Sequence, residues 1–82
     1  MSQNKEDLKN KIIYRATYRG TKEMDILMIG YVKSIINDIN YEQMLDLDKI
    51  VNLSDENLVS LKKKEINIDI KNSFILKKFQ EY

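Results

Sequence analysis

At 82 residues, with charges that nearly cancel to +1, the chain has room for one small domain over residues 1–82 and lacks the electrostatic footprint of a nucleic-acid binder. It contains neither cysteine nor histidine, which excludes disulfides, thiolate metal sites, a near-neutral pH switch and the commonest general base. No proline and only two glycines interrupt it, too little punctuation for a strand-and-turn fold, so the expectation is an all-α protein, a small five-helix bundle.

The charges are unevenly placed. Residues 1–22 carry six basic side chains against Glu6 and Asp7, and residues 37–57 carry six acidic ones against Lys49. Such a split suits an oriented protein partner, and ordinary solvated faces also produce it. No apolar run approaches the roughly 18 residues needed to span a membrane. The longest, Ile26 to Val32, reads as a buried helix. The polar start from Met1 to Asp7 lacks a signal-peptide core, so secretion is not expected.

In chain order, the first helix is expected from about Lys5 to Tyr18, with Leu8, Ile12 and Ala16 one turn apart and Ile13 beside them. Gly20 marks a break, either as the positive-φ residue after a helix or as an N-cap. The second helix is expected from about Lys22 to Asp38. Met24, Leu27, Met28, Tyr31, Ile35 and Ile39 form its stripe, and Ile26, Ile29, Val32 and Ile36 widen it, so this helix should be central. Asn40 and Gln43 fit a capping box for a third helix, with Met44, Leu47 and Val51 inward and Leu45 and Ile50 flanking. Ser54 caps a short fourth helix that buries Leu58 and Leu61 and ends in Lys62-Lys63-Lys64, with Asp55 and Glu56 in its first turn where the helix dipole favours them. Ile66, Ile68 and Ile70 alternate as in a strand but have no partner strand, so an extended connection is expected. A last helix from about Lys71 to Gln80 packs Phe74, Ile75 and Phe79.

The most informative segment runs from Ile13 to Leu27. Gly20 falls at a helix–helix junction, where a missing side chain leaves backbone approachable, and Arg19 and Glu23 flank it as a two-charge clamp. Arginine's planar fork suits a partner carboxylate or carbonyl pair. A local reading stands beside this one: Gly20 as N-cap with Glu23 as its third helical residue, and Arg19 paired with Glu23 at little energetic gain.

The block Arg19-Gly20-Thr21-Lys22-Glu23-Met24-Asp25, with its flanks Ile13-Tyr14-Arg15 and Ile26-Leu27-Met28, resembles the Arg-Gly-x-x-Glu signature of the succinate dehydrogenase assembly factor 2 family, also called the bacterial FAD assembly factors. The wording is similar to that of alphaproteobacterial members. The resemblance is clear from Lys11 to Tyr31 and weaker but collinear to Lys62. Ser54 to Leu61 resembles a later family segment, with Asn57, Val59 and Leu61 standing where an aspartate, an aromatic residue and a tryptophan are usual. Tyr18 stands where relatives often have histidine or arginine. Residues 65–82 carry no resemblance.

The resemblance implies a five-helix bundle that binds the flavoprotein subunit of succinate dehydrogenase, in some bacteria that of fumarate reductase. It implies promotion of the bond between a histidine of that subunit and FAD. The implied role is that of an assembly factor rather than an enzyme, with no cofactor bound stably by the factor itself and no catalytic or metal-binding residue. Carried over by position, Arg19, Gly20 and Glu23 are the implied partner contacts, with Asp25 and Tyr18 as further candidates. The implied location is the bacterial cytoplasm, with the mitochondrial matrix as the alternative, and a monomer is expected when free.

Three other readings were open on the residues alone. A helical interaction module with a different partner fits equally well without the resemblance. A helix-turn-helix DNA regulator is encouraged by the basic first helix and Lys62-Lys63-Lys64 but opposed by the near-neutral charge and the apolar second helix. A hydrolase or metalloenzyme would need a carboxylate pair, and Asp46 and Asp48, two positions apart on a helix, do not face each other. The tyrosines and methionines fall mostly at core spacing, with Tyr14 and Tyr18 as candidates for the edge of a partner surface.

Overall fold

The computed structural model of the protein describes residues 4–82; the polar start at Met1, Ser2 and Gln3 lies outside the described residues. Five helices follow one another: α1 (Lys5–Thr17), α2 (Lys22–Ile35), α3 (Tyr41–Val51), α4 (Asp55–Lys62) and α5 (Ser73–Glu81), with no strand among the described residues. This is the expected small all-α bundle.

Local chemistry sets most of the boundaries. The Asn4 side chain accepts from the Asp7 amide at 2.8 Å and starts α1. At α3, Asn40 and Gln43 exchange two bonds of 2.9 Å, the capping box read from the sequence. Ser54 accepts from the Asn57 amide at 3.2 Å and starts α4. The end of α4 is a Schellman-type closure in which the Glu65 amide reaches the Ser60 carbonyl at 2.9 Å and Lys64 adopts φ +64°. Two boundaries differ from the sequence reading. α2 ends at Ile35 because the Asp38 amide bonds back to Ile35, three residues rather than four away, and the chain turns. α5 starts at Ser73, because Asn72 spends its side chain on Asp46 instead of extending the helix.

The core follows the four-residue spacing of each helix. Leu8, Ile12 and Ala16 are buried from α1; Met28, Tyr31, Val32 and Ile35 from α2, continued by Ile36 and Ile39; Met44, Leu47, Ile50 and Val51 from α3. Leu58 and Leu61 from α4 and Ile75 and Phe79 from α5 complete it. α1 packs on α2 and α3, while α5 packs on α3 and α4. The expected extended connection is present, with Ile68 and Ile70 laid against the core. Three apolar residues expected inside face outward instead: Ile26, Leu45 and Phe74. A helix on the outside of a small bundle cannot bury its full circumference, and each of these falls outside the stripe that its helix turns inward.

Polar bonds tie the late segments to this core. The Tyr31 hydroxyl donates to the Ile75 carbonyl at 2.6 Å, and the rings of Tyr31 and Phe79 lie 5.2 Å apart. Burial raises the Tyr31 phenol well above its ordinary range. Asp46 is the one buried charged side chain among the described residues. It accepts from the Asn72 amide at 2.8 Å, the Asn72 side chain at 2.7 Å and the Lys71 amide at 3.3 Å, and so holds the approach to α5. Asp48 does not join it. The two carboxylates, read as not facing each other, do different things.

Burial alone would raise the Asp46 pKa. The bonds from the Asn72 side chain, the Asn72 amide and the Lys71 amide, with the charge of Lys49, outweigh it and hold the carboxyl below its ordinary value. The native carboxyl therefore holds its proton less tightly than the unfolded chain does. Its contribution to stability is complete above about pH 4, the unfolded value, and is lost as pH falls through the lower native value. Asp46→Asn turns one acceptor into a donor facing amide donors. Urea unfolding should show a loss of about 1–3 kcal/mol at neutral pH, and a stability that falls less steeply below about pH 4 than that of the wild type.

Candidate functional site

The turn between α1 and α2 gathers every residue that the sequence singled out. α1 closes at Tyr18, whose amide bonds the Tyr14 carbonyl at 3.2 Å. Arg19, Gly20 and Thr21 bend, and Thr21, not Gly20, is the N-cap of α2, its hydroxyl accepting from the Met24 amide at 3.3 Å. Glu23 is consequently the second helical residue rather than the third. Gly20 has φ +104°, a conformation that side chains of L-residues rarely adopt, and it is exposed with no atom within 4 Å of where a Cβ would stand. The glycine is needed for its backbone and leaves a bare stretch of main chain facing outward.

Arg19 is placed differently from the sequence expectation. Its side chain is only 10% exposed and turns inward. Nε and Nη2 donate to Asp55 Oδ1 at 3.1 and 2.9 Å. Nη1 donates to the Val51 carbonyl and Nη2 also to the Leu53 carbonyl. Val51 is the last residue of α3, so its carbonyl is one of those a helix end leaves unpaired, at the negative end of the helix dipole. The guanidinium thus closes the end of α3 and pairs with the first residue of α4. It is the only ion pair among the described residues. The two-charge clamp of Arg19 and Glu23 does not form, and neither does a local pair between them. Lys22 and Glu23 remain as exposed charges beside Gly20.

Asp25 is also turned to the turn itself. Its carboxylate accepts from the Arg19 amide at 2.7 Å, while its own amide bonds the Thr21 carbonyl at 2.9 Å. The backbone on both sides of Gly20 is therefore fixed, by Asp25 from within and by the Arg19 side chain from α3 and α4. Tyr18 is exposed and its ring lies tilted against that of the exposed Tyr14, 4.7 Å between centroids. The surface offered at this turn includes the Gly20 main chain, Thr21, Lys22, the Glu23 carboxylate and this tyrosine pair.

Asp55 and the carbonyls of Val51 and Leu53 are the residues that sequence reasoning missed. Asp55 reads locally as a favourable first-turn acid of α4, and nothing in spacing joins it to an arginine 36 positions earlier. Among the described residues no three carboxylates gather as a metal site.

Arg19→Lys keeps the charge but loses the fork that serves Asp55 and two carbonyls together. Thermal and urea unfolding should show a loss of about 1–3 kcal/mol, the range for bonds to a charged group.

The sequence model of one protein family, Sdh5, described as flavinator of succinate dehydrogenase, matches residues 10–82. No curated protein and no solved structure matches the chain. The matched stretch contains the whole α1–α2 turn and its Asp55 anchor, and it continues through α5, beyond Lys62 where the likeness seen in the sequence faded. With nearly all of its length matched, the chain belongs to the Sdh5 family, the flavinators of succinate dehydrogenase.

Proposed function

We propose that this protein binds the flavoprotein subunit of succinate dehydrogenase through the Gly20 turn and holds that subunit in the conformation in which FAD becomes covalently attached. The family establishes the flavinator role. The observation that supports the turn as the contact is an exposed, side-chain-free backbone at φ +104° that internal bonds hold rigid.

In this reading Gly20, Glu23 and Tyr18 touch the partner, while Arg19 and Asp25 position them. Rigidity lowers the cost of docking, because the turn need not be ordered on binding. The chain contains no histidine and cannot supply a linking imidazole; in this reading the flavin is attached to a histidine of the partner. A binder accelerates such a reaction by raising the population of the competent partner conformation, up to the limit of its preference for that conformation. The flavin supplies the chemistry and the surrounding protein the orientation. No described helix is long and apolar enough to cross a membrane.

Gly20→Ala and Gly20→Arg separate backbone strain from surface contact. Both place an L-residue at positive φ, and both should lose about 1–2 kcal/mol of stability; open space at the site means the larger side chain adds little further loss. In-gel fluorescence of covalent flavin on the denatured flavoprotein, in cells carrying each variant, should show a far greater loss for arginine than for alanine. Equal flavin labelling in Gly20→Arg and wild-type cells would remove the turn from the contact surface.

A further inference from the structure

An apolar groove opens between α2 and α4, lined by Met24, Leu27, Leu58, Val59, Lys62 and Lys63. Its volume is roughly 190 Å³, and a cavity of about 150 Å³ is enough to hold a benzene ring. It has room for one large aliphatic or aromatic side chain. Val59 is 43% exposed, and Ile26, 62% exposed, extends the apolar surface along α2.

The groove begins at Met24, close after the turn, and its only charged lining residues are lysines. Glu23, Ile26 and Leu27 share one face of α2, being three and four positions apart. Glu56, Val59 and Lys63 share one face of α4 by the same spacing. The Arg19–Asp55 pair ties the turn before α2 to the first residue of α4. Glu23 precedes the lining residue Met24 on α2, and Lys62 and Lys63 are the charged residues of the lining itself. Lys62 is already engaged, donating to the Phe79 carbonyl at 3.1 Å and lying 5.4 Å from the Phe79 ring centre. Lys63 is exposed and has no ion pair among the described residues.

We propose that this groove is the anchor site for the flavoprotein, taking a bulky apolar side chain of that partner with an adjacent carboxylate set against Lys63. This rests on the reading of the Gly20 turn as the contact. A stable complex covers about 800 Å² on each partner, more than a turn of a few residues offers. The contact must spread, and the groove is the apolar surface that adjoins Glu23. Anchors of this kind sit in apolar pockets within a charged rim.

The test is calorimetric titration of the purified full chain with the purified flavoprotein subunit, across a range of salt concentrations. Val59→Asp, which puts a carboxylate at the groove's lip, should weaken binding by more than about tenfold. Lys63→Glu should weaken it by about threefold at low salt and flatten its salt dependence. Leu45→Asp, exposed on α3 outside the groove, should bind as the wild type does, and circular dichroism should show all three variants folded. Wild-type affinity in both Val59→Asp and Lys63→Glu, with binding lost in Gly20→Arg, would overturn the groove and keep the turn. Absence of binding by the wild-type chain would overturn both. Sedimentation in which Val59→Asp dissolves a dimer of this chain, with flavoprotein binding unaltered, would give the groove to a second copy and overturn the proposal.

Discussion

The Arg19 guanidinium is the interaction on which the arrangement of the candidate site depends. It meets the Val51 carbonyl at the end of α3, the Leu53 carbonyl just beyond it and the carboxylate that opens α4, while the main-chain amide of the same residue meets the Asp25 carboxylate of α2. Three of the five helices are thus referred to one residue in the turn that follows α1. A planar cation with several donors suits this place, because carbonyls at a helix end and a nearby carboxylate present acceptors in different directions at once. Some of the uneven charge along the chain is resolved by the same contact: the basic first quarter meets the acidic middle inside the molecule.

The functional consequence lies in what remains outside. With Arg19 and Asp25 engaged internally, the turn presents Gly20 as bare backbone with the exposed Lys22 and Glu23 beside it. A surface loop with few partners would sample many conformations, and ordering it on binding would cost affinity. Here the ordering is done by the fold. An assembly factor that works by favouring one conformation of its partner needs such a surface, since a yielding surface would adapt to several conformations and favour none.

The parts of this structure legible in the sequence are those set by short-range chemistry. The Asn40–Gln43 box, the Ser54 cap and the spacing of Leu8, Ile12 and Ala16 all act within two turns of helix, and the structure contains each of them. Gly20 was legible as a break because positive φ selects glycine. The resemblance also directed attention to Arg19 and Glu23, but not to the direction in which Arg19 points. That direction is set by Val51, Leu53 and Asp55, which the fold alone brings near. Asp46 is a parallel case: its partners, Lys71 and Asn72, come from a segment that the sequence reading described only as extended. Ile26, Leu45 and Phe74 show the converse limit, since apolar character does not say which face of a helix a small bundle covers. At Ile26 the uncovered face adjoins the groove proposed as an anchor.

The signature arginine works inside the protein as a latch, and a double-mutant cycle on stability tests that role. Urea unfolding of the wild type, Arg19→Ala, Asp55→Ala and the double variant gives the coupling between the two side chains. A partly buried, hydrogen-bonded pair predicts a coupling of about 1–3 kcal/mol. Additive losses, with coupling within about 0.5 kcal/mol of zero, would contradict the latch and return Arg19 to the surface as a direct contact.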